Sequence, residues 1–140
     1  MRVYFACSIT GGRDDEVIYQ TIVDSLLAEG HEVPTAHLAS PEIMALEHNA
    51  VNEKIFTGSI EWMNDCDVLI AEVSTPSHGV GYEIAYGLSI GKPVLCCFRE
   101  GGKVSKMVTG NTMPRLEVKA YTSPDEAKQM VYRFLREAAT

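Results

Sequence analysis

The stretch Pro-Ser-His-Gly-Val-Gly-Tyr-Glu at positions 76–83 sets a carboxylate, Glu83, directly behind two glycines, Gly79 and Gly81. An apolar run, Val68-Leu69-Ile70-Ala71, precedes it and a helical pattern follows. A glutamate at a strand-to-helix junction has two readings. It is a first-turn residue favoured by the positive end of the helix dipole, or it is a reactive group aimed into a cleft. Ser77, Gly79 and Gly81 surround it with donors, as an anion site at a helix start requires.

A second turn of the same kind lies near the chain start. Val3–Cys7 is apolar and runs into Ser8-Ile9-Thr10-Gly11-Gly12-Arg13. Glycines let the backbone approach an anion, and free amides at a following helix start donate to it. The spacing is neither the dinucleotide fingerprint nor a Walker loop, and an unliganded tight turn is the alternative. Two donor-rich turns on one edge with a carboxylate between them favour the catalytic reading of Glu83.

Other reactive types carry less. Glu72 ends an apolar strand and is read as a structural, paired carboxylate, because a buried charge needs a partner. Asp65 and Asp67 are turn or cap residues. His31, His37, His48 and His78 show no metal-ligand spacing, and His78 is read as a solvated loop residue. Trp62 falls at core spacing. No nucleophile elbow is present. The four cysteines, Cys7, Cys66, Cys96 and Cys97, form no C-x-x-C pair. They are expected as reduced, small apolar residues of a cytoplasmic protein.

The elements that must position these residues follow from periodicity. Strands are expected at Val3–Cys7, Glu32–Thr35 (weakly), Asp67–Val73, Pro93–Phe98 and Leu116–Tyr121. Helices are expected at Asp14–Glu29, Asn52–Met63, Gly81–Ile90 and Pro124–Ala138, with a short helical turn around Val104–Val108. Residues 36–49 read as a loop with a short helix opening near Ser40. Alternating strands and helices with wholly apolar central strands imply an α/β fold: a parallel sheet of about five strands covered on both faces. Ligands of such sheets bind at the carboxyl ends of the strands, where both donor-rich turns would lie.

Bulk properties bound the partners. The chain has 140 residues, read as a single domain over 1–140, with 46% hydrophobic and 22% charged residues. Its net charge of -7 argues against polymeric nucleic acid and anionic membrane surfaces. A small anionic ligand is still compatible, because local amides act at short range. No apolar run reaches the length of a membrane span, and the opening residues are not read as a signal peptide.

Three blocks carry a resemblance: YFACSITGGR at 4–13, IEWMNDCDVLIAEVSTPSHGVGYEIAYG at 60–87 and KPVLCCFR at 92–99. They resemble the 2'-deoxynucleoside 5'-phosphate N-hydrolases of the nucleoside 2-deoxyribosyltransferase superfamily. The resemblance implies a Rossmann-like (flavodoxin-like) sheet, a homodimer with a shared active site, and no cofactor or metal. It implies hydrolysis of a deoxynucleoside monophosphate to free base and 2-deoxyribose 5-phosphate through a glycosyl-glutamate ester. Glu83 matches the nucleophile and Tyr4 the tyrosine that positions it. Cys7 through Arg13 (Cys7, Ser8, Ile9, Thr10, Gly11, Gly12, Arg13) match the substrate loop. Ser77 matches a phosphate-binding serine beside Gly79, and Ser40 falls near the base. Ser105, with Lys106 and Met107, aligns with a segment lent by the partner subunit.

Two departures stand out. Ser59 occupies the position at which the family carries an aspartate general acid, and general acid help is worth about 100- to 10,000-fold. Either another group such as Glu61 or a water serves, or turnover is slow. Thr10 stands where an arginine is common. The rival readings are a 2-deoxyribosyltransferase, a ribonucleotide (CMP-type) N-glycosidase, and a non-catalytic nucleotide-binding module.

Overall fold

The computed structural model describes residues 1–140. Four strands form one parallel sheet in chain order: β1 (Val3–Ala6), β2 (Val68–Glu72), β3 (Val94–Arg99) and β4 (Leu116–Tyr121). Around it lie α1 (Glu16–Ala28), α2 (Ile43–His48), α3 (Asn52–Asp65), α4 (His78–Ser89), the short α5 (Lys106–Thr109) and α6 (Pro124–Ala138). A 3-10 turn spans Ala36–Ala39. No helix is long and apolar enough to cross a membrane.

The parallel α/β architecture is as expected, but the sheet has four strands, not five. Glu32 forms only an isolated bridge with Arg2. Two features stop the expected strand at 32–35. Pro34 has no amide hydrogen to pair. The Phe5 amide donates instead to the Thr35 hydroxyl, at 2.9 Å, so a side chain takes the place of a strand carbonyl. The chain then turns into the 3-10 segment, and β1 becomes an edge strand. Residues 36–49, ambiguous in sequence, resolve into that turn and α2.

Strand alternation sorts the core into two layers. Val3, Phe5, Ile70 and Leu95 face α1 and α6, where they pack with Tyr19, Ile22, Val131 and Phe134. Tyr4, Ala6, Leu69 and Ala71 face the other side, against Met63, Ile84 and Leu88 of α3 and α4. The strands are buried on both sides, which is why their sequences are continuously apolar. The alternation also decides the site: it turns Tyr4 toward the layer that carries Glu83. α4 begins at His78, three residues before the expected start, because the Ser77 hydroxyl accepts from the Val80 amide and caps the helix.

Candidate active site

The loops that leave β1 and β2 meet at the carboxyl edge of the sheet. Two features lock them together. Gly11 lies against the Pro76 carbonyl so closely that a β-carbon there would sit 2.3 Å from that oxygen. Gly12 has φ +135°, a left-handed value open to glycine. Asp15 then ties both loops to the end of β3: its carboxylate accepts from Arg99 and from the Thr75 hydroxyl. The Ser74 hydroxyl accepts from the Arg99 amide at 2.8 Å, and the Ser74 amide donates to Glu72 at 2.7 Å.

Beside these loops is a cavity of about 390 Å³ walled by the end of β1, the β1–α1 loop, α2, α3 and the start of α4. Tyr4, Cys7, Ile9, Thr10, Ser59, Ser77, Gly79 and Glu83 all line it. Residues 79 places apart in sequence meet here, for the Tyr4 hydroxyl donates to Glu83 Oε2. The other oxygen, Oε1, faces Gly79. A β-carbon at Gly79 would lie 3.9 Å from Glu83 Oε1 and 3.9 Å from Ser77 Oγ. The glycine thus keeps open a small space bordered by a carboxylate on one side and a hydroxyl on the other.

Burial raises the Glu83 carboxyl to about 7 by penalising its charged form. The Tyr4 hydrogen bond opposes this, and the nearby Glu47 charge adds to it. The Tyr4 phenol is pushed above its ordinary range by burial first and by Glu83 second, while Ser59 acts on it in the opposite sense. Burial lifts the Cys7 thiol to about 12, with Arg13 pulling it down, so Cys7 is a wall and not a thiolate nucleophile.

A family model of nucleoside 2-deoxyribosyltransferases matches residues 3–129, nearly the whole chain and all of this cavity. The chain belongs to that family. Its relatives include the 5-hydroxymethyl-dUMP N-hydrolase of Danio rerio, 38% identical over 138 residues, covering 96% of this chain and 95% of that protein. The protein of the same name from Rattus norvegicus is 42% identical over 112 residues, covering 77% of this chain and 68% of that one. Among solved structures, the Clostridium botulinum CMP N-glycosidase shares the fold with a TM-score of 0.70. It is 18% identical, and the match covers 94% of this chain and 99% of that chain.

In this nucleoside 2-deoxyribosyltransferase fold the remaining residues singled out in sequence fall outside the cavity wall. Ser8 is buried and its hydroxyl has no partner. Arg13 donates to the carbonyls of Ser8, Leu38 and Ser40 and pairs with Glu16 at 2.9 Å, so it braces the loop on the 3-10 turn. The Ser40 hydroxyl donates to Glu42. Ser105 caps α5 by accepting from the Met107 amide. Ser105 and Met107 line a neighbouring groove of about 780 Å³ that shares Ser77 and Val80 with the first cavity. Lys106 does not line either. Glu61 also stays out of the cavity, whereas Glu47, Asn52, Ile55, Phe56 and Tyr82 line it. The α3 members had a readable signal: positions 52, 55, 56, 59, 60 and 63 form one helical stripe. Glu47 had none, because α2 was not resolved from the sequence.

Glu72 is fully buried, as expected, but its partner is the Ser74 amide rather than a cation, and its second oxygen is unpartnered. Burial raises it to about 7. No group of three or more His, Cys, Asp or Glu comes together that could hold a metal ion.

Proposed function

We propose that this protein hydrolyses the N-glycosidic bond of 2'-deoxynucleoside 5'-monophosphates, giving free base and 2-deoxyribose 5-phosphate. The observation that carries the reading is the space at Gly79, flanked by Glu83 Oε1 and Ser77 Oγ. That arrangement suits an anomeric carbon beside the carboxylate and a phosphate beside the hydroxyl. The names of the relatives, N-hydrolases of a deoxynucleotide, support the same substrate class.

The chemistry follows from the site. Ionised Glu83 attacks C1' as the bond to the base breaks. Burial disfavours the carboxylate charge, and forming the glycosyl ester removes it. Tyr4 holds Oε2, leaving Oε1 to react. Water then attacks C1' and releases the carboxylate, the retaining route of paired-carboxyl glycoside hydrolysis. The Ser77 hydroxyl is occupied only as an acceptor from Val80, so its proton stays available to a phosphate oxygen. The loop from Cys7 to Arg13 supplies the substrate platform. In a homodimer, Ser105 with Lys106 and Met107 of α5 would complete the phosphate end of a neighbouring subunit's site.

The test is incubation with each of the four deoxynucleoside monophosphates, following free base by chromatography. Glu83→Ala is expected to abolish release and Ser59→Asp to raise it. Equal release by Glu83→Ala and the parent would refute the nucleophile. Transfer of the sugar to an added base, or faster release from ribonucleotides, would replace the hydrolase reading with one of its enzymatic rivals.

A further inference from the structure

We propose that Glu47 is the proton donor to the departing base. The proposal rests on the glycosidase reading above and names a residue that reading leaves unassigned. Cleaving C1'–N leaves an electron pair on the base nitrogen. The resulting anion is a poor leaving group unless a proton arrives as the bond breaks. Ser59 offers an alcohol, which is too weak an acid. The Tyr4 proton is engaged by Glu83. The Cys7 thiol is buried against the Leu38 carbonyl, and the phenol of Tyr82 is a far weaker acid than a carboxyl.

Glu83 and Glu47 are the two carboxyls that line the cavity, and they come from different walls. Ile43 anchors α2 in the protein interior. Glu47 stands one helical turn later on the same face, which directs its side chain inward, while Met44 and Leu46 are exposed. Glu47 takes no part in any salt bridge. No Lys, Arg or His lines the cavity. The guanidinium of Arg13 is held by carbonyls and Glu16, and His37 packs on Trp62. Glu47 and Glu83 thus face one cavity from different walls, with no cation in its lining to pair with either.

The proton balance closes. Glu83 forms its bond to C1' as the C1'–N bond breaks, and the Glu47 carboxyl protonates the base. Glu47, now a carboxylate, takes a proton from the water that attacks C1', and the C1'–Oε1 bond breaks to restore Glu83. Both carboxyls end as they began.

The experiment compares parent and Glu47→Gln on 2'-deoxyuridine 5'-phosphate and its 5-fluoro analogue, whose base is the better leaving group. Glu47→Gln is expected to lower kcat on the uracil substrate about 100-fold or more with KM nearly unchanged. The loss on the fluoro substrate is expected to be at least tenfold smaller. Equal losses on both substrates, or an effect confined to KM, would overturn the donor role. If the parent releases no base from either substrate, the glycosidase reading itself falls and takes this one with it; if Glu83→Ala releases it as fast, the nucleophile assignment falls and with it the two-carboxyl scheme. Thermal melts of both proteins separate a folding defect from a catalytic one.

Discussion

Replacing Tyr4 with phenylalanine isolates one hydrogen bond at the centre of the site. The ring stays in its layer of the core, and only the hydroxyl that donates to Glu83 is lost. That hydroxyl favours the charged carboxylate and opposes the burial that raises Glu83 to about 7. Without it the carboxyl must rise further. A hydrogen bond to a charged group contributes about 1.5–3 kcal/mol, and one pKa unit corresponds to about 1.4 kcal/mol, so the rise is about one to two units. A nucleophile must be ionised, so the acid limb of kcat/KM should move to higher pH by that amount. At pH 7 the parent carboxyl is near half ionised, and the variant is expected to lose about five- to fifty-fold in rate. The two proteins should converge once pH exceeds both values, apart from any loss in aligning the carboxylate. The assay is base release across pH 5 to 10 under kcat/KM conditions, which report the free enzyme. An acid limb that stays in place or moves to lower pH would refute the coupling between Tyr4 and Glu83.

Three further outcomes are expected. Glu72 is fully buried and raised to about 7, above its unfolded value. The folded state therefore holds the extra proton, and the stability it confers is complete at acid pH and lost as pH rises toward 7. Glu72→Gln keeps an acceptor for the Ser74 amide and removes the charge, so thermal melts at pH 8 should show a gain of roughly 2 kcal/mol that vanishes near pH 4; a gain equal at both pH values would be wrong for this cause. Gly11→Ala drives a methyl into the Pro76 carbonyl and should cost about 1–3 kcal/mol in denaturant melts while lowering kcat/KM, and an unchanged melt would show that the two loops are not locked there. Ser77→Asp keeps a helix cap but would set a carboxylate against the dianionic phosphate of the proposed substrate, so the nucleotide-to-nucleoside ratio of kcat/KM should fall about tenfold or more, and a steady ratio would remove Ser77 from phosphate binding.

Much of the scaffold was legible because its signals are local or periodic. Continuous apolar runs marked the buried parallel strands, and apolar stripes marked α1 and α6. The fifth strand failed because hydropathy says nothing about hydrogen-bond supply: Pro34 lacks an amide hydrogen, and the Thr35 hydroxyl meets the Phe5 amide. The start of α4 was misplaced because a cap is a side-chain contact, here Ser77 with Val80. Arg13, read with the substrate loop, braces it from behind by reaching carbonyls about 25 residues downstream.

By itself the sequence determined the alternation of strands and helices, the burial of the central strands, the donor-rich turns after β1 and β2, and Glu83 behind its glycines. These depend on neighbours in the chain, on periods of two and 3.6 residues, and on the conformations open to glycine. Only the tertiary structure decided that the Tyr4 hydroxyl would donate a hydrogen bond to Glu83, that Gly79 would separate a carboxylate from a hydroxyl, and that Glu47 would line the same cavity from another wall. Such meetings depend on how layers stack and loops close in space, and burial in that stack is what raises the Glu83 carboxyl to about 7.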